Sequence, residues 1–164
     1  MTDVVIRSAT TADAQPINDI LNHYVEHSTA TFITVPQTLD ERLAWLEGRS
    51  EEHPVIVAEL SGSVVGWASL SSFRVRAAYA HTVELGVYVH YGHHRRGIGR
   101  DLVSESIRRA KEAGHHVIVG GCCHESAASI TLLESFGFVH VGYFREVGQK
   151  FGRWLDVDFL QLML

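Results

Sequence analysis

From Val87 to Arg100 an apolar, β-type run ending at Val89 gives way to a turn with glycines at 97 and 99 and arginines at 95, 96 and 100. Gly97 and Gly99 let the backbone approach a bulky anion, and a helix starting at Ile98 would add the positive end of its dipole. A pyrophosphate suits such a site. The spacing does not fit the nucleotide P-loop, which needs four residues between its glycines followed by Lys and Ser or Thr. It also lacks the third glycine of the dinucleotide-binding turn. A tight turn that merely starts a helix is the competing reading, although three arginines at a helix start oppose the dipole unless an anion lies nearby. Just upstream, Glu84 stands inside an otherwise apolar stretch. Desolvation there would raise its pKa toward that of a useful base, the alternative being a glutamate paired only for structure.

The elements that must hold these residues follow from periodicity. Val4 to Ser8 reads as a strand, and Ile17, Ile20, Leu21 and Tyr24 fall at helical spacing. Thr38 with Glu41 three residues on is a capping-box pattern and predicts a second helix from Leu39 to about Arg49. Pro54 to Leu60 and Val64 to Leu70 predict an antiparallel pair around Gly62, and Thr82 to His90 a further strand. Ile98, Leu102, Val103, Ile107 and Ala110 mark the long helix after the glycine turn, with Gly114 suited to its end. Val117 to Gly121 then reads as a short buried strand, returned parallel by a right-handed crossover. A helix over about Ser126 to Ser135 and closing strands over Phe138 to Phe144 and Leu155 to Leu164 complete the pattern, with Gly148, Lys150 and Gly152 between them. The order β-α-α-β-β-β-α-β-α-β-β predicts one mixed α/β domain over residues 1–164.

His94-Arg95-Arg96-Gly97-Ile98-Gly99 resembles the Gln/Arg-x-x-Gly-x-Gly/Ala signature of the GNAT superfamily of N-acetyltransferases, with His at the first position. Asn22-His23-Tyr24, Thr31-Phe32, Pro36-Gln37, Ala78-Tyr79, Thr82-Val83-Glu84 and the run from Gly148 to Asp156 are similar to the phosphinothricin and methionine sulfoximine acetyltransferase branch. The resemblance implies a splayed mixed sheet of about seven strands flanked by about four helices, acetyl-CoA as acetyl donor, no metal, and a homodimer. It also implies roles. Backbone groups of Val87, Tyr88 and Val89 would pair with the pantetheine arm, and Arg95, Arg96, Gly97, Ile98, Gly99 and Arg100 would hold the pyrophosphate. Ser126 would touch the coenzyme where relatives often carry Asn, although capping the next helix is an equal reading.

On the acceptor side, an alkyl ammonium with a pKa of ~10 must lose a proton before attack, and Glu84 matches the family's catalytic glutamate. Phe73-Arg74-Val75-Arg76 corresponds to the substrate loop, where a guanidinium would clamp an α-carboxylate through two parallel hydrogen bonds, Arg74 first and Arg76 second. Val75, Phe32 and the Leu85-Gly86 backbone would line the rest of the pocket, a place in the core being an equal reading of Phe32. One departure stands out: Leu133 occupies a position where relatives often carry His or Tyr near the departing sulfur. The thiolate would then leave unaided, as a pKa of ~8.5 permits, or take its proton from elsewhere. The implied reaction is direct acetyl transfer to the free amine of phosphinothricin, methionine sulfoximine, methionine sulfone or a similar analogue. Acetylation of a protein N-terminus or lysine, and acyl-CoA binding without turnover, are the rival readings.

Bulk properties exclude other classes. Fourteen Lys and Arg against nineteen Asp and Glu give a formal charge of -5, which argues against nucleic acid or an anionic membrane as partner. No apolar run reaches the ~18 residues of a bilayer span, and Met1 to Ser8 lacks the features of a signal peptide, so a cytoplasmic protein is expected. Cys122 and Cys123 are adjacent and ill suited to a mutual disulfide; they read as small buried side chains rather than as covalent acetyl carriers. Eleven histidines, densest at His90, His93, His94, His115 and His116, show no metal-ligand spacing. Trp45, Trp67 and Trp154 read as core or interface.

Overall fold

The computed structural model describes residues 4–164, and Met1 to Asp3 of the expected N-terminal segment lie outside the described residues. Strand β1 (Val5–Ser8) leads into helix α1 (Ala14–His27), which buries Ile17, Ile20, Leu21 and Val25 along one face. Helix α2 (Leu39–Glu47) opens with the expected box: Glu41 N donates to Thr38 Oγ1 at 3.2 Å, and Thr38 N donates to Glu41 Oε2 at 2.7 Å. Strands β2 (Val55–Leu60) and β3 (Ser63–Ser72) are joined by a two-residue turn with Ser61 at φ 51° and Gly62 at φ 80°. Two consecutive positive φ values are what a type I′ hairpin requires.

Strand β4 (Thr82–Val89), helix α3 (Ile98–Glu112) and strand β5 (Val117–Cys123) form the crossover, followed by helix α4 (Ala127–Glu134) and strands β6 (Val139–Lys150) and β7 (Arg153–Met163). The seven strands make one sheet in the order β1-β2-β3-β4-β5-β7-β6, in which β4 and β5 alone run parallel. That pairing lasts only from Thr82–Val117 to Glu84–Val119. Past Glu84, β4 stays with β3 as far as Val89, while β5 stays with β7 as far as Cys123, so the sheet divides.

Two packed layers hold the halves in place. Ile98, Leu102, Val103 and Ala110 of α3 are buried against Ile56, Ala68, Leu70, Val83 and Ile118 on one face. Each large side chain there contributes about 1.5–3 kcal/mol. On the other face, α1 packs on Val55, Val57 and Trp67. Gly66 sets the height of α3: a Cβ there would come within 3.1 Å of Ile98 Cγ2 and 3.2 Å of Leu102 Cδ1.

The last two strands differ from expectation. Gly148 and Lys150 lie inside β6, and only Phe151 and Gly152, at φ 52° and 71°, form the turn. β6 slips register between His140 and Gly142 and again between Phe144 and Gly148, with Glu146 at φ 51°. Such bulges break the alternation that a strand shows in sequence.

Candidate active site

Where β4 and β5 part, a cavity of about 1210 Å³ opens across the molecule. One half reaches the start of α3, where Arg95, Gly97, Ile98, Gly99 and Arg100 line it together with Ser126 and Leu132. The other half runs beneath α2, and the two meet at Glu84, Leu85, Gly86 and Gly121.

The α3 end has the chemistry of an anion cradle. Arg95 at φ 61° and Gly97 at φ 82° turn the backbone so that the helix starts abruptly, and Gly97 supplies no side-chain cap. The first helical bond runs from Asp101 N to Gly97 O at 3.0 Å, which leaves the N–H groups of Ile98, Gly99 and Arg100 without acceptors inside the helix. Gly99 packs closely on α4, since a Cβ there would meet Leu132 Cδ2 at 3.3 Å. Ser126 occupies the N-cap of α4 but makes no capping hydrogen bond, so its hydroxyl is not spent on the helix.

The open edge of β4 offers backbone groups as well. His90 N donates to Val65 O of β3 at 2.8 Å, so by alternation the N–H and C=O of Leu85, Val87 and Val89 face the split. Val89 O is already engaged: Tyr24 Oη donates to it at 2.5 Å, and His94 Nε2 lies 2.8 Å from that hydroxyl. Val87 is the residue whose groups an extended amide chain would meet. Tyr88 points to the opposite face, where it stacks on Trp67 at 4.8 Å. The cradle and the Val87 edge therefore fit a phosphorylated donor with an amide-bearing arm.

Glu84 stands at the base of the split. Glu84 is exposed to the cavity, yet the protein around it removes enough water to raise its pKa; the positive charge of Arg74 opposes the rise. Arg74 lies over the Phe73 ring at 4.8 Å, and Arg74, Val75 and Arg76 are exposed and do not line the cavity. Phe32 falls outside the lining too: its ring rests on Gly148 of β6, which has no side chain to displace it. Ile33 and Ala30 of the same loop face the cavity instead.

Leu133 is 6% exposed and seats its Cδ1 on Gly120, where a Cβ would come within 2.5 Å of it. No proton donor is present in that side chain. Cys122 lines the cavity, but burial, followed by the nearby Asp158 and Cys123, pushes its thiol up to about 11, which keeps it protonated and a poor nucleophile at neutral pH. Of the clustered histidines, His90 stacks on Tyr91 at 4.3 Å, and Tyr91 in turn stacks on His23 of α1 at 4.1 Å. Among the described residues no group of three or more His, Cys, Asp or Glu is arranged to hold a metal ion, and no helix is long and apolar enough to cross a membrane.

The sequence offered no sign of Tyr24 as a clamp on Val89, nor of Arg42, Trp67 and Ser69 as cavity walls. Gly120-Gly121 is a signal that was available, because paired glycines inside a strand mark a close approach.

A sheet divided beside a carboxylate, with an anion cradle at one end of the opening, defines a transferase that binds an extended phosphorylated donor along a strand edge. The model of the acetyltransferase (GNAT) domain matches residues 6–158, and the chain belongs to that family. It is similar to the L-methionine sulfoximine/L-methionine sulfone acetyltransferase of Salmonella typhimurium, 43% identical with 98% of this chain and 95% of the relative covered. It also resembles the phosphinothricin N-acetyltransferase of Streptomyces viridochromogenes, 39% identical over 96% of this chain and 86% of the relative. A GNAT superfamily phosphinothricin acetyltransferase from Sinorhizobium meliloti, solved in complex with acetyl-CoA, superposes with a TM-score of 0.92 at 33% identity, covering 100% of this chain and 89% of that one. The mixed α/β GNAT fold and the acetyl-CoA-dependent N-acetyltransferase class expected from the sequence are those of the chain.

Proposed function

We propose that the protein transfers acetyl from acetyl-CoA to the α-amine of a small amino-acid analogue such as methionine sulfoximine, methionine sulfone or phosphinothricin. The observation that carries this reading is the position of Glu84, at the base of the split and in the same cavity as the α3 cradle. Acetyl-CoA supplies an activated thioester. The N–H groups of Ile98, Gly99 and Arg100, with Arg95, Arg96 and the Ser126 hydroxyl, hold its phosphates, and Val87 pairs with its amide arm.

Glu84, raised in pKa, takes a proton from the acceptor's ammonium directly or through water. The freed lone pair then forms the N–C bond as the C–S bond breaks, CoA departs as its thiolate, and the nitrogen sheds its second proton to water or to that thiolate. Arg74 clamps the α-carboxylate, with Arg76 beside it and Val75, Leu85 and Gly86 alongside. With Leu133 at the sulfur side, departure needs no acid from that position. Cys122 takes no part, consistent with direct transfer in a ternary complex.

The same reading makes residues 1–164 one catalytic domain of a cytoplasmic homodimer. Edge strand β6, the turn after it and the start of β7 expose Val139, Val141, Tyr143, Phe144, Val147, Phe151 and Trp154, an apolar strip of the kind that a second copy covers. A panel of free amino acids and peptides, followed by CoA thiol release, tests the function. Release with methionine sulfone but not with peptides is expected, and a Glu84→Gln variant that keeps full turnover at every pH removes Glu84 from its role.

A further inference from the structure

Helix α2 lays Arg42, Trp45 and Arg49, from its body and the residues just past it, over the sheet. The Trp45 ring is held between two guanidiniums, 4.5 Å from that of Arg42 and 4.8 Å from that of Arg49. Arg49 is well used: it donates to His53 O at 2.9 Å, to Leu70 O and to Ser71 Oγ at 3.3 Å. Arg42 is not. It is 3% exposed, yet among the described residues its one hydrogen bond runs from Nη2 to Gln37 Oε1, for a group with five N–H donors. Its Nε has no acceptor. The adjacent carboxylate, Glu41, is turned away into its bonds with Thr38 at 2.7 and 3.0 Å.

A second buried donor lies beside it. Trp67 is also 3% exposed, its Nε1 has no acceptor, and its ring centre is 5.7 Å from the Arg42 guanidinium. Stacking on Tyr88 fixes that ring. Burial pulls the pKa of Arg42 down, against the opposing pull of the neighbouring Tyr88 and Glu41. Two neighbouring donors left unmatched in a core are costly unless something that the fold receives satisfies them.

Both residues line the cavity that holds Glu84. Register puts them on the same face of the sheet: Ser71 is opposite Glu84, Ser69 opposite Gly86, and Trp67 opposite Tyr88. The four steps from Glu84 to Tyr88 span roughly 13 Å at ~3.3 Å per residue. The floor between is made of the small residues Gly86 and Ser69. A Cβ added to Gly86 would meet Ser69 Oγ at 3.5 Å, an ordinary contact, so the floor is narrow in bulk and continuous. An acceptor with its amine at Glu84 has this channel for its side chain, past the Tyr88 ring whose Cε2 would lie 3.7 Å from a Cβ on Gly86, and at its far end stand the two unmatched donors.

We propose that Arg42 and the Trp67 indole N–H form the subsite for the terminal oxygens of the acceptor's side chain, selecting sulfonyl, sulfoximine and phosphinate tails over apolar ones. The inference rests on the acceptor reading above and adds a specificity determinant to it. The exposed Arg74 serves the α-carboxylate, and the buried Arg42 serves the far end.

The test compares kcat/KM for methionine sulfone and for norleucine, an acceptor of similar length without tail oxygens, at saturating acetyl-CoA. The wild type favours the sulfone by tenfold or more. Arg42→Met cuts that preference at least tenfold, chiefly through KM for the sulfone, and leaves KM for acetyl-CoA unchanged. Trp67→Phe keeps the stack on Tyr88 and lowers the preference severalfold, so the proposal remains testable if the first variant folds poorly. A merely structural Arg42 would depress both acceptors together. An unchanged preference in both variants overturns the subsite while leaving acetyl transfer intact. A wild type that turns over neither amino acid, yet releases CoA with another amine, overturns the acceptor reading and the subsite with it.

Discussion

Glu84 and Gly121 face each other across the split: a Cβ on Gly121 would lie 3.6 Å from Glu84 Oε1 and 3.2 Å from Phe159 Cε1. The absence of a side chain at residue 121 keeps the space beside the carboxylate open. Gly121→Val is predicted to lower kcat with methionine sulfone by about a hundredfold, the scale of loss when reacting groups are displaced by ~1 Å. Unfolding curves of the same variant, measured by circular dichroism, separate this effect from a folding defect.

The raised pKa of Glu84 has consequences of opposite sign for rate and stability. The base works only when ionised, so kcat/KM for the acceptor falls as pH drops through a value above the ordinary carboxylate range, and Glu84→Gln removes that limb. For stability, a carboxyl whose pKa is higher folded than unfolded favours the fold below its unfolded pKa, and that benefit is lost as pH rises through the folded pKa. Glu84→Gln is therefore predicted to raise Tm at neutral pH. The gain should vanish at pH 4 in a series of thermal melts.

Lys150 is 4% exposed, and its ammonium donates to three backbone oxygens: Ser28 at 2.6 Å, Thr31 at 2.8 Å and Tyr24 at 3.3 Å. It ties the end of α1 and the loop after it to the β6–β7 hairpin. Lys150→Met leaves those carbonyls without a donor and is predicted to cost about 2–3 kcal/mol, read as a shift in the urea midpoint. A variant as stable as the wild type would remove the tie.

Cys122 lies at the cavity wall with a thiol raised to about 11. Cys122→Ala is predicted to keep kcat within about twofold, because a protonated, buried thiol contributes no nucleophile. Mass spectrometry of enzyme mixed with acetyl-CoA should find no acetylated protein intermediate; a stoichiometric adduct lost in the variant would contradict direct transfer.

Much of this was written locally in the chain. The Thr38 and Glu41 pair announced α2, the glycines at 97 and 99 announced the start of α3, and Glu84 was visible as a lone charge in an apolar strand. What escaped notice depends on contacts between distant segments. Phe32 was expected in the pocket but packs on Gly148, a glycine over a hundred positions away that only the sheet brings near. The full length of β6 was hidden because two register slips destroy its alternation. Arg42 reads in sequence as one more polar residue on a short helix, and only the closure of α2 over Trp67 makes it a buried cation.

The claim on which the rest depends is that the turn at Gly97 receives the phosphates of acetyl-CoA. A Cβ at Gly97 would meet nothing within 4 Å, but the φ of 82° disfavours any other residue, so Gly97→Val changes the cradle without crowding the core. The direct measurement is calorimetric titration of both proteins with acetyl-CoA. Binding by the wild type that weakens at least tenfold in Gly97→Val is the expected result. No heat from the wild type at millimolar acetyl-CoA, or equal affinity in the two proteins, would contradict the account.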